Sequence, residues 1–424
     1  STSKVALSKQ CKVSKKKSRD KFMELIIDVF NYTLTAILIG VCGAWVFLIR
    51  SMVNSFRFTP YLDKFENTSK SYPKVSIILP ARNEEEFISK CLDSLINQDY
   101  ENYEIIVIDD SSDDATGKII SEYAEKYSKI IPVVARPKPE GWIGKNWACM
   151  EGYQKATGEL LLFTDADTNH SKNVLSLAVA HLISFNLDAL SAIPKMLTFD
   201  FWTKITLPMI STFLHTRFSA LNVNNPSKKT GYFFGSFYIL KKKTYEKVGM
   251  HEGVKHEIIE DGALGKKVKE LGYKMKMVRG EHLIGAVWAR DGSTLWNALK
   301  RLMVPLYLQN GKIAIGIFFA VLFLLFIPFP IFAISASLPI ETISATILCV
   351  TAAIASILIY IGAIIEVKVG LELRFVHALF APLGGLVVVL GFLGGLLQAK
   401  STSSVTWKER SYSLKDHTQS SISV

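Results

Sequence analysis

Asp165 and Asp167 stand one residue apart, directly behind the apolar run Leu160, Leu161, Leu162 and Phe163, in the stretch LLFTDADTNH. A short apolar run that stops at acids reads as a core strand with carboxylates at its carboxyl end, the edge where open α/β sheets bind ligands. Two carboxylates so placed offer hard oxygen donors to Mg2+ or Mn2+, leaving a diphosphate and water to complete the coordination shell. The same residues also suit a solvated turn, since Asp and Asn are ordinary turn formers.

Two more elements of this kind precede it. Val75 to Leu79 ends at Pro80, and a polar turn from Ala81 to Glu84 leads into a helix carrying Phe87, Ile88, Cys91, Leu92, Leu95 and Ile96 on one face. Ile105 to Ile108 ends in Asp109, Asp110, Ser111 and Ser112, after which Ala115, Ile119 and Ile120 begin another helix. Those serines and aspartates also suit helix capping. Strands alternating with helices predict a parallel sheet, and strand ends collected on one rim form a nucleotide site. A diphosphate beside acids needs an intervening divalent cation. Asp109 then suits the other end of the nucleotide, accepting from a base N–H or a ribose hydroxyl. No GxxxxGKS loop and no GxGxxG after a strand is present, which excludes P-loop and dinucleotide readings.

PARNEEEF (80–87), VIDDSSDD (107–114), FTDADTNH (163–170) and IIEDGALGKKVKELGY (258–273) together resemble the successive motifs of family 2 glycosyltransferases. The resemblance covers residues 74–290 and implies a GT-A, Rossmann-like α/β fold that binds a nucleotide-diphosphate sugar, with a UDP-sugar as the expected donor. It implies donor contacts at Pro80, Ala81, Arg82, Asn83, Glu84, Asp109, Asp165 and Ala166, and metal ligation by Asp165 and Asp167. It also implies that Asp261, with Glu260 beside it, is the catalytic base. Inverting transfer needs one carboxylate to take a proton from the acceptor hydroxyl, and a metal stabilises the departing diphosphate. The Glu260-Asp261 pair also suits a helix N-terminus, where acids favour the macrodipole.

A narrower resemblance lies in GWIGKNWACMEGYQKATGELLLFTDAD (141–167), which is similar to the GWxGKxWA element of bacterial membrane glycosyltransferases of hopanoid and carotenoid glycosylation. It makes Lys145 a phosphate or nucleotide contact, where the alternative is a solvated loop lysine. TWKERSY (406–412) resembles their C-terminal WKGRxY, with Glu409 in place of the glycine. The QxxRW of polymer-making relatives is absent, which argues for transfer of a single sugar. Arg290, Lys300 and Arg301 are then the candidates for a cation facing the diphosphate. On the acceptor side the expected residues are Gly235 and Ser236 of GYFFGSFYIL (231–240), together with Arg290 and Trp296.

The mean hydropathy of +0.24 is high for a soluble chain. Most of the excess lies in Val29–Ile49, Ala314–Leu338, Thr342–Ile365 and Phe375–Ala399, each free of Asp, Glu, Lys and Arg and long enough to cross a bilayer. Pro328 and Pro330 are expected to kink the second. The expected organisation is a basic tail (1–21), an anchor (22–57), a linker (58–73), the GT-A domain (74–290), an amphipathic interfacial segment (291–313), three spans (314–399) and a polar tail (400–424). Residues 201–221 and 293–312 mix aromatics, aliphatics and isolated bases as interfacial helices do.

The net charge of +11 comes partly from the tail between Lys4 and Lys21, which suits anionic lipid and not nucleic acid. The five cysteines fall at no metal or redox spacing. A nucleotide-sugar enzyme must face the cytosol, at the plasma membrane in a prokaryote, so four crossings put both tails on the far side. Lys368 and Arg374 in the 366–374 loop agree with a cytosolic domain, while the basic tail predicts the opposite orientation. The expected function is an integral, multi-pass, metal-dependent inverting glycosyltransferase acting on a lipid hydroxyl. The alternatives are transfer to polyprenyl phosphate and, in another class, a silent nucleotide-sugar sensor or scaffold.

Overall fold

The computed structural model describes residues 2–65, 73–216, 218–339, 342–401, 404–407 and 410–413. The chain opens with a long helix α1 (Thr2–Phe58), then β1 (Val75–Ala81), α2 (Ile88–Ile96), β2 (Tyr103–Asp109), α3 (Thr116–Lys126), β3 (Ile130–Val134) and α4 (Gly144–Lys155). Next come β4 (Leu160–Phe163), β5 (Thr168–His170), α5 (Val174–Ser184), β6 (Ala189–Ile193), β7 (Lys195–Leu197), α6 (Phe201–Ser211) and α7 (Ala220–Asn224). After β8 (Tyr238–Lys241) follow α8 (Lys242–Lys247), α9 (Glu260–Glu270), β9 (Met275–Arg279) and β10 (Ile284–Val287). Helices α10 (Gly292–Gln309), α11 (Gly311–Leu325), α12 (Pro328–Ser337), α13 (Ile343–Ile365) and α14 (Ala381–Ser401) lead to a short hairpin, Ser404–Trp407 with Arg410–Ser413.

The main sheet has the order β3-β2-β1-β4-β8-β6-β9. Strands β1, β2, β3 and β4 are parallel, β8 runs antiparallel to β4 and β6, and β6 pairs β9 in parallel. Val75–Leu79, Ile105–Ile108 and Leu160–Phe163 are wholly buried, as strands covered on both faces must be, and so they read as unbroken apolar runs. One face packs on α2 and α5 through Leu92, Leu95, Leu175 and Val179. The other packs on α4 and α9 through Ala148, Cys149, Leu264 and Val268.

Register brings Ala81 beside Asp109 and Ile78 beside Phe163, so the ends of β1, β2 and β4 share one rim. The strand order reverses at β1, which is where such sheets open a crevice. Strand β1 runs on to Ala81 through Pro80, contrary to a stop at Pro80. Its pairing with β4 has ended at Ile78, so beyond that point β2 is its sole ladder neighbour and the missing N–H interrupts no β4 rung.

A buried polar knot fixes the opposite end of this layer. Glu104 on β2 accepts from the Ser76 hydroxyl at 2.6 Å and from the Thr157 N–H at 2.8 Å, and pairs with the Lys74 ammonium at 2.6 Å. Burial alone would raise its carboxyl, but Lys74, Ser76 and Thr157 together pull it down to about 2. A depressed carboxyl stabilises the fold above its ordinary value and loses that contribution as pH falls through the folded one. Glu104→Gln is therefore expected to lower stability by roughly 2 kcal/mol at pH 7 and to flatten the wild-type decline between pH 4.5 and 2, as read by chemical denaturation.

Among the described residues, three helices are long and apolar enough to cross a membrane, Lys21–Phe58, Ile343–Gly370 and Phe375–Ser401. Gly311–Leu325 and Pro328–Ser337 make a fourth if taken as one span, bent by 48°. The break precedes Pro328, whose ring cannot continue the preceding helix. The 201–221 stretch is not one interfacial helix. It divides into α6, a 3-10 turn at Thr212–His215, and α7. Ile205 and Met209 of α6 are buried against α14, where a Cβ on Gly384 would lie 2.1 Å from the Ile205 carbonyl oxygen. Gly395 on α14 receives the α10 backbone at Lys300 in the same way, the close approach that small residues permit between membrane helices. Phe201 and Trp202 remain exposed at the start of α6. Residues 66–72 of the expected linker, the Ile340 position in the loop between spans, and Glu409 lie outside the described residues.

Candidate active site

Strand β4 delivers Asp165 and Asp167 into the turn before β5, with the Thr168 N–H donating to the Asp165 carbonyl at 3.2 Å. The turn is held from below by side chains with no recognised motif role. The Thr164 hydroxyl donates to the Ser236 carbonyl at 2.7 Å and lies 3.0 Å from Nε2 of His170, whose Nδ1 is 3.3 Å from the Ser94 hydroxyl. Burial lowers His170 to about 4, so it is neutral at pH 7. Sequence reasoning missed this support, because the inward placing of Thr168 and His170 in β5 appears only in the folded chain.

Across the crevice, α9 begins with Glu260 and Asp261, and the α4 N-terminus supplies Lys145. The Lys145 ammonium lies 2.7 Å from Asp165 Oδ1 and 2.7 Å from Glu260 Oε1. It is a half-buried ion-pair bridge on α4 and not a solvated loop lysine. Asp261 Oδ1 accepts from the Gly262 N–H at 2.7 Å. Its carboxyl is raised to about 7, first by burial and then by Glu260, against the opposing pull of Lys145.

Gly235 lies where these groups meet. A Cβ there would stand 2.9 Å from Asp261 Oδ2, 3.1 Å from Asp165 Oδ2 and 3.2 Å from Lys145 Nζ. Space and not backbone angle demands the glycine. Gly235→Ala is expected to displace all three charged groups and to lower kcat between tenfold and about a hundredfold, measured beside a circular dichroism spectrum that remains native.

A cavity of about 310 Å³ opens from this cluster. It is lined by Asp165, Gly235, Ser236 and Asp261, by Leu302, Pro305, Leu306 and Leu308 of α10, and by Met196 and Trp288. Arg301 also lines it. Burial lowers the guanidinium's proton affinity, while Glu260 and Asp165 restore part of it. Of the three basic residues suggested for the diphosphate, Arg301 is the one that lines the cavity. The Lys300 stem packs on Gly394 of α14, 3.4 Å from its Cβ position.

Arg290 pairs with Glu84, lies 3.7 Å from Glu86 and covers the Phe87 ring at 4.5 Å. It therefore supports the turn after β1 and does not line the cavity. Trp296 is 37% exposed and packs against Gly394 of α14, also away from the cavity walls.

The turns after β1 and β2 lock together. Arg82 donates to the Asp110 carbonyl at 2.8 Å and pairs with Asp113 at 3.1 Å, while Asn83, at φ 50°, accepts from the Asp113 N–H at 2.9 Å. The Glu84 N–H donates to the Thr116 hydroxyl at 2.8 Å. Asp109 Oδ1 accepts from the Ser112 N–H at 2.9 Å, and Gly117 leaves room for its other oxygen. These acids thus order their own loop. Pro80 and Ala81 complete the floor of this edge at the end of β1, and the buried Ala166 separates the two β4 aspartates.

Among the described residues no three His, Cys, Asp or Glu side chains are arranged to hold a metal by themselves. Asp165 and Asp167 supply two hard oxygen donors, a set that fits an ion completing its shell with phosphate oxygens and water. The residues therefore fit a divalent ion that binds together with a diphosphate.

Residues 76–249 match the family model described as Glycosyl transferase family 2. A probable glycosyltransferase of Bacillus subtilis (strain 168), YdaM, is 34% identical over 158 residues, covering 35% of this chain and 36% of the relative. The 4,4'-diaponeurosporenoate glycosyltransferase of Staphylococcus haemolyticus (strain JCSC1435) is 27% identical over 227 residues, covering 50% and 55% respectively. The chain thus spans between about a third and just over half the length of these curated relatives. Among solved structures, a mannosyltransferase from Pyrobaculum calidifontis in complex with GDP-Man and Mn2+ superposes with a TM-score of 0.51 at 17% identity, covering 87% of this chain and 98% of the other. At that identity the likeness establishes a shared GT-A fold.

Proposed function

We propose, from the premise that residues 76–249 form a glycosyl transferase family 2 domain, that this protein moves one sugar from a nucleotide-diphosphate sugar onto the hydroxyl of a membrane lipid. The reaction inverts the anomeric centre and uses Mg2+ or Mn2+. The observation that carries this reading is one cavity lined both by Asp165 and Asp261 and by the apolar side chains Leu302, Pro305, Leu306 and Leu308 of α10. Helix α10 leads directly into α11 and the broken apolar pair, so a lipid can present its headgroup to the acids while its tail stays among apolar side chains. The relative named for 4,4'-diaponeurosporenoate supports an apolar acceptor.

In this reading Asp261 takes the proton from the acceptor hydroxyl as it attacks the anomeric carbon. Glu260 keeps Lys145 in place and raises the proton affinity of Asp261. Asp165 and Asp167 would hold a divalent ion, which would supply Lewis-acid stabilisation to the leaving diphosphate. Lys145 and Arg301 face the same developing charge, which preorganised cations stabilise without reorganisation. The locked turns around Arg82, Asn83, Glu84 and Asp109 frame the nucleoside, and Gly235 and Ser236 leave room for the reacting sugar. The catalytic domain faces the cytosol in a multi-pass membrane protein, and a UDP-sugar is the proposed donor.

Arg301 in the cavity wall favours one second reading, polyprenyl phosphate as acceptor, since a guanidinium pairs well with phosphate. Release of nucleoside diphosphate by the detergent-purified protein tests the acceptor class. The proposal expects a total lipid extract to raise release at least tenfold over slow donor hydrolysis. Release that is equal with and without lipid would contradict a lipid acceptor.

A further inference from the structure

The site gathers Asp165, Glu260 and Asp261 around Gly235, with Asp167 two residues beyond the first. Carboxylates this close, with Glu260 buried and the others partly shielded, favour a cation among them, because a poorly hydrated charge without compensation is destabilising. Lys145 is the cation in direct contact, with Arg301 adding a longer-range charge toward Glu260 and Asp165. Its ammonium sits 2.7 Å from one oxygen each of Asp165 and Glu260, and its side chain is 19% exposed against 31% and 4% for the two partners. Asp165 is therefore shared between two roles, an ion-pair partner at Oδ1 and a metal carboxylate. A divalent ion arriving at Asp165 and Asp167 meets a positive charge already on the same carboxylate, and the two repel across a poorly screened space.

We infer that Lys145 is the resting counter-ion of the site, and that its transfer from Asp165 to the donor diphosphate makes metal binding and nucleotide binding depend on each other. The inference rests on Asp165 and Asp167 being the metal carboxylates. With Lys145 on Asp165, the metal alone binds weakly. A diphosphate draws the ammonium away, leaves both aspartates to the metal, and adds its own oxygens to the shell. The dependence is reciprocal, since coupling between two ligands must be equal in both directions. The device keeps a bare metal from occupying the site unproductively, and it keeps the carboxylates neutralised while the enzyme waits for donor.

The test is a Mn2+ titration of the detergent-purified full chain, followed by electron paramagnetic resonance, without nucleotide and with saturating UDP or, in parallel, GDP. Wild type is expected to bind Mn2+ about tenfold or more tightly when the right nucleotide is present, within the usual range of coupling. Lys145→Met is expected to bind Mn2+ more tightly than wild type in the absence of nucleotide, and to lose most of the nucleotide-induced gain. Lys145→Arg, which keeps the charge, is expected to retain a substantial part of the coupling, and thermal unfolding checks that each variant is folded. A folded Lys145→Met protein whose Mn2+ affinity and nucleotide-induced gain both match wild type would overturn the inference. Asp167→Asn separates this from failure of the metal assignment: undiminished Mn2+ binding there would remove Asp167 from the metal site whatever Lys145 does.

Discussion

Asp261→Asn is expected to reduce kcat by about a thousandfold, within the usual contribution of a positioned general base, while leaving the donor KM within a few-fold of wild type. Asn keeps the shape of Asp and its hydrogen bond from the Gly262 N–H, but it cannot accept the hydroxyl proton. The loss should fall on kcat and kcat/KM alike, the signature of an interaction used only in the transition state.

The pH dependence carries the same argument with a definite sign. Asp261 acts as the ionised form, and burial together with Glu260 raises its carboxyl to about 7, so kcat/KM should fall tenfold per unit below that value and level off above it. The Asn variant should show no such limb. Because burying an ionised carboxylate opposes folding above its raised value, the variant should also melt no lower than wild type at pH 8, which distinguishes lost chemistry from lost structure. If the acceptor were a phosphate, already ionised at neutral pH, the variant would retain substantial activity and the limb would be weak.

Asp165→Asn is expected to be at least as damaging, with a loss of about a thousandfold or more in kcat, an effect within the range seen when preorganised charge stabilisation is removed. The carboxylate has two partners to lose: the ion it would share with Asp167, and Lys145 at 2.7 Å. Without it Lys145 retains Glu260 and the nearby Asp261, so the fold should survive while the cation is drawn toward the base and away from the leaving group. Raising Mn2+ should restore little activity, whereas Asp167→Asn, which leaves the Lys145 bridge intact, should recover part of its loss at high metal. Initial rates across a Mn2+ series for both variants check this ordering.

The parallel half of the sheet was legible because strands buried on both faces leave unbroken apolar runs, and β1, β2 and β4 each stop where the polar rim begins. The reversed β8 between β4 and β6, and the small sheet of β5, β10 and β7, were not read. Their strands are three to five residues long, and their pairing partners lie far off in sequence. At the site, the acids were found because their chemistry is local to each motif. The bridge from Lys145 to Glu260 was not, since it joins side chains brought together only by the packing of α4 and α9 on one sheet face. Arg290 and Arg301 illustrate the same limit. Both lie near or on an amphipathic helix with several basic positions, and only its docking against α14 decides that Arg301 enters the cavity while Arg290 turns to Glu84.

The central claim is transfer of a sugar to lipid through the aspartates behind β4. Its most direct measurement is the partition of label into the lipid phase when detergent-purified protein meets labelled nucleotide sugars, Mg2+ or Mn2+, and a total lipid extract. Asp167→Ala and EDTA serve as controls. The account predicts label in lipid from one donor, dependent on metal and abolished in both controls. Nucleotide binding without transfer from any donor would contradict it and leave a silent nucleotide-sugar sensor or scaffold.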